Sequence, residues 1–486
     1  MFTRSSLTLA AVLVAGCASS PAPDAQAVLR QAEQTLGAVG VKTIQFSARG
    51  SGGTFGQAWQ PGMAWPGLNY SVLTRVVDLE NGAFREDFAR GRSEPNGGGA
   101  TPLMGQGEAR VTGFARENWA WNAAGNAAAP APVALEARIH DLWTTTPQGA
   151  IAAAKRHGAT ASAATVDGQA VTALRFTVPN RLSATVYVDA RGTVPRIDSR
   201  LPHPVMGDTE VVTRFADYKD VAGLKFPMRI RQSAGAFEVL DVAVQDVKAN
   251  APADIAVPDN VRGFKENASA EKVADGVWFI AGGSHNSVAI EMADHIVLVE
   301  SPLYDGRAAA VFAKANELVA GKRVRTVINS HHHFDHAGGL RYAVSQGAGL
   351  VTSGMAKPYF ERLFANPNRV APDSLAQSGR TPSITGVSGK HVIADGTRTV
   401  EVHEMQGSIH AQGFLLVWLP KEKIAIQADA YTPGAPNSAP PPVPNANHVN
   451  LVQNFERLGL AVERIAPLHG RVVPITELYT AIGRKS

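Results

Sequence analysis

The hydrophobic pattern divides the chain into two stretches of different character. In residues 24–250, segments with alternating apolar and polar residues predominate, as around Phe46. Alternation with a period of two predicts strands with one buried face. Two helices are also predicted, one from Asp24, which caps helices well, to Gly37, and one at residues 146–158. This first stretch is therefore expected to be an α+β domain with an antiparallel sheet.

The second stretch, residues 271–486, contains short continuous apolar runs that alternate with helical patterns. Strands are predicted at residues 277–280, 288–291, 296–300, 324–329, 400–403, 414–419 and 424–427, and helices at 307–319, 338–346, 355–365, 449–462 and 476–483. This order is typical of an α/β arrangement with sheets inside and helices outside. Residues 251–270, with Pro252, Pro258 and Gly263, are predicted to be a linker.

One short segment carries most of the candidate chemistry. His331, His333, Asp335 and His336 follow the buried strand at 324–328 and precede a helical pattern. Side chains two apart in an extended segment point to one side, so His331 and His333 face the same way. Imidazole and carboxylate ligands together suit zinc and similar ions. A histidine tag would lie at a terminus, whereas this tract is internal, so it predicts a metal site. His332 points away and is left out of the ligand set.

Three later residues each end an apolar run. They are His410 before the strand at 414–419, Asp429 after the strand at 424–427, and His469 after a short extended segment. Each one alone is as consistent with a structural polar residue as with a ligand. His285, Asn286 and His403 are expected to be polar residues at strand ends rather than ligands. Tyr431 is equally consistent with a substrate contact or a packed side chain.

Taken in order, these motifs resemble those of the metallo-β-lactamase superfamily over residues 271–486. The resemblance implies an αββα sandwich with a site for two divalent ions, zinc first and Mn²⁺ or Fe²⁺ as alternatives. By the same resemblance, the first ion would be bound by His331, His333 and His410, and the second by Asp335, His336 and His469. Asp429 would bridge them together with a water or hydroxide. Asp335 would also act in catalysis by orienting the nucleophile.

Composition, net charge and the cysteine count exclude some protein classes and some branches of this superfamily. The chain has 486 residues, of which 45% are hydrophobic and 18% charged, as in globular proteins. A net charge of +4 is small for this length, so no nucleic-acid partner is expected. The single cysteine, Cys17, excludes a disulfide within the chain and the β-lactamase subclasses that use a cysteine ligand. Asp429 at the bridging position favours the glyoxalase II and lactonase branches over the β-lactamase subclass without cysteine.

The N-terminus is predicted to be a targeting segment. Arg4 and the short apolar run after it form the pattern of a signal peptide, and residues 13–17 resemble the lipobox of bacterial lipoproteins. This resemblance implies that residues 1–16 are removed and that Cys17 is lipidated. Ala18 then implies anchoring in the outer membrane, facing the periplasm, through a tether that extends to residue 23. An ordinary secretory signal is the alternative.

The first stretch also resembles periplasmic lipoprotein carriers, on segments such as Gly207–Asp208–Thr209 and 223–227. This resemblance implies a curved, half-barrel-like sheet that can hold a lipid or an apolar substrate; a domain with only a structural role is equally consistent. The glycines at 50–53 are predicted to form a turn between strands.

Five parts are thus expected: signal 1–16, tether 17–23, β-rich domain 24–250, linker 251–270 and metal-binding domain 271–486. The expected function is dinuclear metal-dependent hydrolysis of an ester, thioester or lactone in a small molecule. The alternatives are a β-lactam hydrolase of the cysteine-less type and a lipid-binding lipoprotein module with a secondary hydrolase domain.

Overall fold

The computed structural model describes residues 23–93, 107–436 and 438–484. The predicted signal, Cys17 and the start of the tether lie outside these residues. Among the helices of the described segments, none has the length and apolar character needed to cross a bilayer.

In the described residues of the first part, the structure has three helices and thirteen strands. The helices are α1 (Ala25–Thr35), α2 (Leu135–Thr144) and α3 (Pro147–Arg156), with a 3-10 turn at Pro132–Ala134. The strands are β1 (Thr43–Gly53), β2 (Gly67–Asp78), β3 (Ala83–Arg92), β4 (Ala109–Arg116), β5 (Trp119–Ala124), β6 (Ala127–Pro130), β7 (Thr160–Val166), β8 (Gln169–Val178), β9 (Leu182–Asp189), β10 (Arg196–His203), β11 (Gly207–Val221), β12 (Leu224–Ala234) and β13 (Phe237–Ala249). They make one sheet in the order β6-β5-β4-β3-β2-β1-β13-β12-β11-β10-β9-β8-β7. The two halves of this sheet join where β1 pairs antiparallel with β13.

The helices pack on one face of this sheet. Leu29 of α1, Trp143 of α2 and Ile151 of α3 share a buried core with Phe46 and Phe226 from the strands. Both predicted helices begin where they were expected, and the side chains of Asp24 and Thr146 accept hydrogen bonds from backbone N–H groups of the first turn.

Two features differ from expectation. Helix α2 was not predicted, and the glycines at 50–53 belong to strand β1 rather than to a turn. At Gly50 an added Cβ would lie 2.2 Å from the Asp241 carbonyl oxygen, so the glycine allows the close approach of β13. The mixed α/β character and the large antiparallel sheet are confirmed. The half-barrel shape stays a prediction.

After α4 (Asp259–Arg262), two further sheets follow. The seven-stranded sheet contains β14 (Ser269–Ala274), β15 (Val277–Ala281), β16 (Ser287–Glu291), β17 (Ile296–Val299), β18 (Val324–Ile328), β19 (Gly349–Ser353) and β20 (Ile384–Val387). The six-stranded sheet contains β21 (Lys390–Ala394), β22 (Thr399–Glu404), β23 (Leu415–Leu419), β24 (Ile424–Gln427), β25 (Arg464–Pro467) and β26 (Val473–Pro474). The helices are α5 (Asp305–Leu318), α6 (Phe334–Ala337), α7 (Leu340–Ser345), α8 (Lys357–Ala365), α9 (Ser374–Ser378), α10 (Ala446–Leu458) and α11 (Ile475–Ala481).

The two sheets share one buried core, to which Phe279, Val299 and Ile328 contribute from one side and Val402 and Ile426 from the other. Strands β17 to β20 are parallel, as are β24 and β25. The carboxyl ends of such strands are where open α/β sheets place their ligand sites. Six of the seven candidate ligands follow β18, β24 or β25, and His410 lies in the segment between β22 and β23. This topology brings the residues after the parallel strands towards one edge.

The first sheet contacts this edge through the segment between β1 and β2, residues 54–66, which we call the β1–β2 loop. Phe55 and Trp65 of the loop pack edge-on against the ring of Phe334, with ring centroids 5.4 and 5.6 Å away. His203, at the end of β10, lies 4.9 Å from the same ring. The β1–β2 loop is therefore packed beside the histidine-rich segment.

Candidate metal centre

The structure brings all seven predicted ligands together in two adjoining groups. In each group, one nitrogen or carboxylate oxygen from every member lies within 4.8 Å of the others. The first group is His331, His333, His410 and Asp429, and the second is His285, Asp335, His336 and His469. His285, which was not expected to be a ligand, joins the second group.

Asp429 lies between the two groups. Its Oδ2 is 2.9 Å from His410 Nε2 and 3.1 Å from His336 Nε2, and its Oδ1 is 2.7 Å from His469 Nε2. A single carboxylate thus reaches imidazoles of both groups, as a bridging ligand must. Strand β24 ends at Gln427, so Asp429 is two residues beyond the strand end.

Hydrogen bonds determine which nitrogens of the second group face inward. His336 Nδ1 is 3.0 Å from the Glu300 carboxylate, and His469 Nδ1 is 2.9 Å from the Ser284 carbonyl oxygen. Both partners only accept, so each Nδ1 carries a proton and, in a neutral ring, Nε2 carries the lone pair. The two Nε2 atoms are 3.3 Å apart and both face Asp429. In the neutral rings, both lone pairs are directed to the same place, where a cation could accept them, so the donor set fits a metal ion.

His333 faces the first group with its other nitrogen. Its Nε2 donates to the Ala58 carbonyl oxygen at 2.9 Å, and its buried Nδ1 has no hydrogen-bond partner. Nδ1 is therefore the lone-pair atom of a neutral ring. His331 and His410 present Nε2 atoms that lie 3.2 Å apart. His332 is outside both groups and donates from Nε2 to the same Ala58 carbonyl at 2.7 Å, which agrees with its exclusion from the ligand set.

The close contacts between imidazoles and carboxylates also shift the pKa values of His336 and Asp429. Burial by itself lowers the pKa of His336, but the carboxylates of Asp429 and Asp335 raise it well above its usual value. Burial raises the pKa of Asp429, whereas His336 and His410 hold it well below its usual range. In the metal-free protein, protons thus offset the carboxylate charge, and metal binding would release them.

Glu300 is a buried carboxylate that sequence reasoning missed. Oε1 accepts hydrogen bonds from Asn329 Nδ2 at 3.1 Å and Ser330 N at 3.2 Å. Oε2 accepts from Ser330 Oγ at 2.6 Å and His336 Nδ1 at 3.0 Å. Glu300 has a φ of +71°, a left-handed conformation that is uncommon for a residue other than glycine. Glu300 directly follows β17, and this position at the end of a strand is the sequence feature that could have identified it.

His285 lies in the segment between β15 and β16. Its Nε2 is 3.0 Å from Asp335 Oδ2, and its ring centroid is 4.3 Å from that of His469. Burial lowers the pKa of His285, although Asp335 acts in the opposite direction. His285 therefore supports the Asp335 carboxylate and offers the second group a further imidazole.

Other polar residues considered in the sequence lie outside both groups. Tyr431 is buried, its backbone N–H and carbonyl bond to the Gln427 side chain, and its ring packs against His448 at 4.9 Å. The structure thus favours a packed Tyr431. His403 pairs with Glu401 at 2.8 Å.

Part of the chain matches a known protein family. Residues 280–456 match the family model described as the Metallo-beta-lactamase superfamily. No curated protein matches the sequence.

Among solved structures, a metallo-beta-lactamase from Pontibacter korlensis is similar with 15% identity and a TM-score of 0.34, covering 45% of this chain and 98% of that one. One from Hirschia baltica has 20% identity and a TM-score of 0.34, covering 45% and 99%. FIM-1 from Pseudomonas aeruginosa, solved in a mono-zinc form, has 16% identity and a TM-score of 0.33, covering 45% and 95%. The family match and the paired groups at the strand ends show that the C-terminal part of the chain is a metallo-beta-lactamase domain.

Proposed function

We propose that this protein is a hydrolase that depends on two divalent metal ions. The observation that carries the proposal is the position of Asp429, whose two oxygens reach imidazoles of both groups. The first ion would be held by His331, His333 and His410, and the second by Asp335, His336 and His469, with Asp429 shared. Zinc suits this mixture of nitrogen and oxygen ligands, and Mn²⁺ or Fe²⁺ are alternatives.

Bound divalent ions lower the pKa of water towards about 7 and polarise a carbonyl oxygen. The accessibility of the chain's own residues indicates the side from which a substrate would reach the ions. Asp335 keeps 31% of its side chain accessible and His469 keeps 20%, whereas the side chains of His331 and His336 are fully buried. Substrate would therefore approach from the side of Asp335, which would orient the nucleophile.

The proposed substrates are small molecules with an ester, thioester or lactone bond. A shared carboxylate and the absence of cysteine after residue 17 favour this class. A β-lactam is the alternative substrate within the same chemistry, because it too is attacked at a carbonyl carbon.

The test combines metal analysis with a hydrolysis screen. We expect about two metal equivalents and chelator-sensitive hydrolysis of at least one lactone, thioester or ester, with β-lactams and phosphodiesters assayed alongside. Asp429→Ala should lose metal and activity together, whereas Asp241→Ala, at an exposed ion pair on β13, should retain both. Full activity after exhaustive chelation would contradict the proposal.

A cavity in the first part supports a second candidate function, the binding of a lipid or another apolar ligand. It has a volume of about 640 Å³ and lies between helix α2 and the sheet. Apolar side chains such as Leu135, Leu201 and Leu240 contribute to its wall, and so do charged side chains such as Arg90 and Glu136. Mass spectrometry of the intact protein under native conditions should detect a bound apolar molecule. A cavity that takes up no fatty acid or phospholipid would contradict this function.

We also propose that the protein is exported and anchored through a lipid on Cys17 to the outer membrane, facing the periplasm. The support is the lipobox-like sequence that ends at Cys17. Cys17→Ser should move the protein from the membrane fraction to the soluble fraction. An unchanged distribution would contradict the anchor.

A further inference from the structure

The β1–β2 loop of the first sheet reaches the metal centre. Gln57 Nε2 donates to Asp335 Oδ1 at 2.8 Å, although the two residues are 278 positions apart. The next residue, Ala58, accepts hydrogen bonds from both His332 and His333 through its carbonyl oxygen. On the preceding side, the Gly56 carbonyl accepts from Phe334 N at 3.1 Å. Three consecutive residues of the first part are thus bonded to the segment that carries the ligands.

The contact between Gln57 and Asp335 has a defined orientation. An ionised carboxylate only accepts hydrogen bonds, so the amide nitrogen of Gln57, and not its oxygen, faces Asp335. The other Asp335 oxygen receives His285 Nε2 at 3.0 Å. Gln57 and His285 therefore hold the two oxygens of one carboxylate, one from each part of the chain.

The Ala58 carbonyl has a related effect on His333. Because Nε2 of His333 donates to this carbonyl, the lone pair is left on Nδ1, which is buried and has no other partner. Mutation of a group that fixes the orientation and tautomer of a metal ligand typically costs about tenfold to a hundredfold in metal affinity. The β1–β2 loop thus contacts one candidate ligand of each group.

We propose that Gln57 is a positioning residue of the metal centre, which fixes the Asp335 carboxylate for metal binding and for orienting the nucleophile. The first part of the chain is then a component of the hydrolase centre and not only a neighbouring domain. This inference rests on the proposed function.

The same loop offers a matched control. Gln60 lies three residues further on and its side-chain amide bonds to the Gln412 side chain, so it also joins the first part to the C-terminal part. Neither Gln60 nor Gln412 belongs to the two ligand groups. Gln57→Leu and Gln60→Leu therefore remove the same chemical group from the same loop, and only the first removes a bond to a candidate ligand.

The experiment uses the full chain loaded with zinc. Zinc affinities are measured by competition with a chromophoric chelator, kcat and KM with the best substrate of the screen, and the melting temperature on metal-free protein. For Gln57→Leu we expect the weaker zinc site to lose about tenfold to a hundredfold in affinity. We expect kcat to fall about tenfold with little change in KM, because Asp335 and not substrate contact is affected. Gln60→Leu should match wild type in zinc affinity and kcat, and the metal-free melting temperatures of the two variants should be similar.

Gln57→Asn is the control for misfolding of Gln57→Leu. It keeps the polar amide, but its side chain is one methylene too short to reach Asp335. It should fold like wild type and show the same loss of zinc affinity. If Gln57→Leu and Gln57→Asn both bind zinc and turn over substrate like Gln60→Leu, the inference is overturned while the proposed function stands. If wild type itself binds no second zinc or shows no chelator-sensitive hydrolysis, the proposed function fails first.

Discussion

Glu300→Gln tests whether ligand orientation in this centre depends on one buried carboxylate. Glu300 accepts four hydrogen bonds from Asn329, Ser330 and His336, and it is fully buried. Glutamine has nearly the same shape but one acceptor and one donor group in place of two acceptors. In either orientation, its NH₂ group faces at least one N–H group that donates to a carboxylate oxygen in the wild-type protein.

The magnitude follows from these contacts. A hydrogen bond to a charged partner contributes about 1.5–3 kcal/mol, and a buried donor left without a partner costs about 1–3 kcal/mol. At least one donor loses its partner in Glu300→Gln and others exchange a charged acceptor for a neutral one. The unfolding free energy of the metal-free protein should therefore fall by roughly 2–5 kcal/mol. Zinc affinity at the site of His336 should fall about tenfold to a hundredfold, because the proton on Nδ1 is no longer fixed by a carboxylate.

The assay is urea unfolding of the metal-free protein, followed by zinc competition titration. Glu401→Gln is the control, because Glu401 also pairs with a histidine, His403 Nε2 at 2.8 Å, but outside both ligand groups. If Glu300→Gln retains zinc affinity within a factor of two of Glu401→Gln, the reasoning about orientation is wrong. If Glu300→Gln does not fold, Glu300→Asp, which keeps the charge, should fold and show the same direction of change.

Three further predictions concern stability. Burial raises the pKa of Asp141, but Arg75 at 2.9 Å and His140 hold it below its usual 3.8; the stabilisation is therefore present above about pH 4 and lost as the pH falls through the folded-state pKa. Asp141→Asn should lower the unfolding free energy by about 3–5 kcal/mol at neutral pH, as measured by urea unfolding. The difference in unfolding free energy between variant and wild type should shrink as the pH falls. A difference that does not change with pH would contradict this. Gly56→Ala should be less stable than Gly223→Ala by about 1–3 kcal/mol, because both glycines have φ near +80° but only at Gly56 would a Cβ meet the Phe334 ring, at 2.3 Å; equal losses would refute the packing argument. Removal of metal should lower the melting temperature, since a ligand present at about a hundred times its Kd stabilises by about 2.7 kcal/mol, and an unchanged melting temperature would contradict metal binding to the folded state.

For three of the candidate ligands, a simple rule predicts that they lie near one another. His331, Asp429 and His469 each follow a buried apolar run, and buried runs become the central strands of the two sheets. Parallel strands end at a common edge, so a polar residue after each run is brought near the others. The rule does not cover His410, which precedes β23. The expected sandwich and the full set of seven candidate ligands are implied by the resemblance of the ordered motifs to the metallo-β-lactamase superfamily.

The residues that orient those ligands could not be predicted in the same way. Glu300 also follows a buried strand, but a lone glutamate at a strand end has no spacing pattern that distinguishes it from a solvated one. Its role depends on a φ of +71° and on the path of the segment from Asn329 to His336 beside it. These are tertiary features, and neither the hydrophobic periodicity nor the motif spacing predicts them.

The role of Gln57 is even harder to predict from sequence motifs. It belongs to a loop of the other sheet, and its partner Asp335 lies 278 residues away along the chain. The packing that brings them together is aromatic: Phe55 and Trp65 fix the two ends of the loop against Phe334, one residue before Asp335. The ring of Phe334 leaves no room for a side chain at position 56, so Gly56 is needed for the loop to pass. The ligand motif therefore determines which atoms can bind metal, whereas the fit between the two parts of the chain determines how Asp335 and His333 present those atoms.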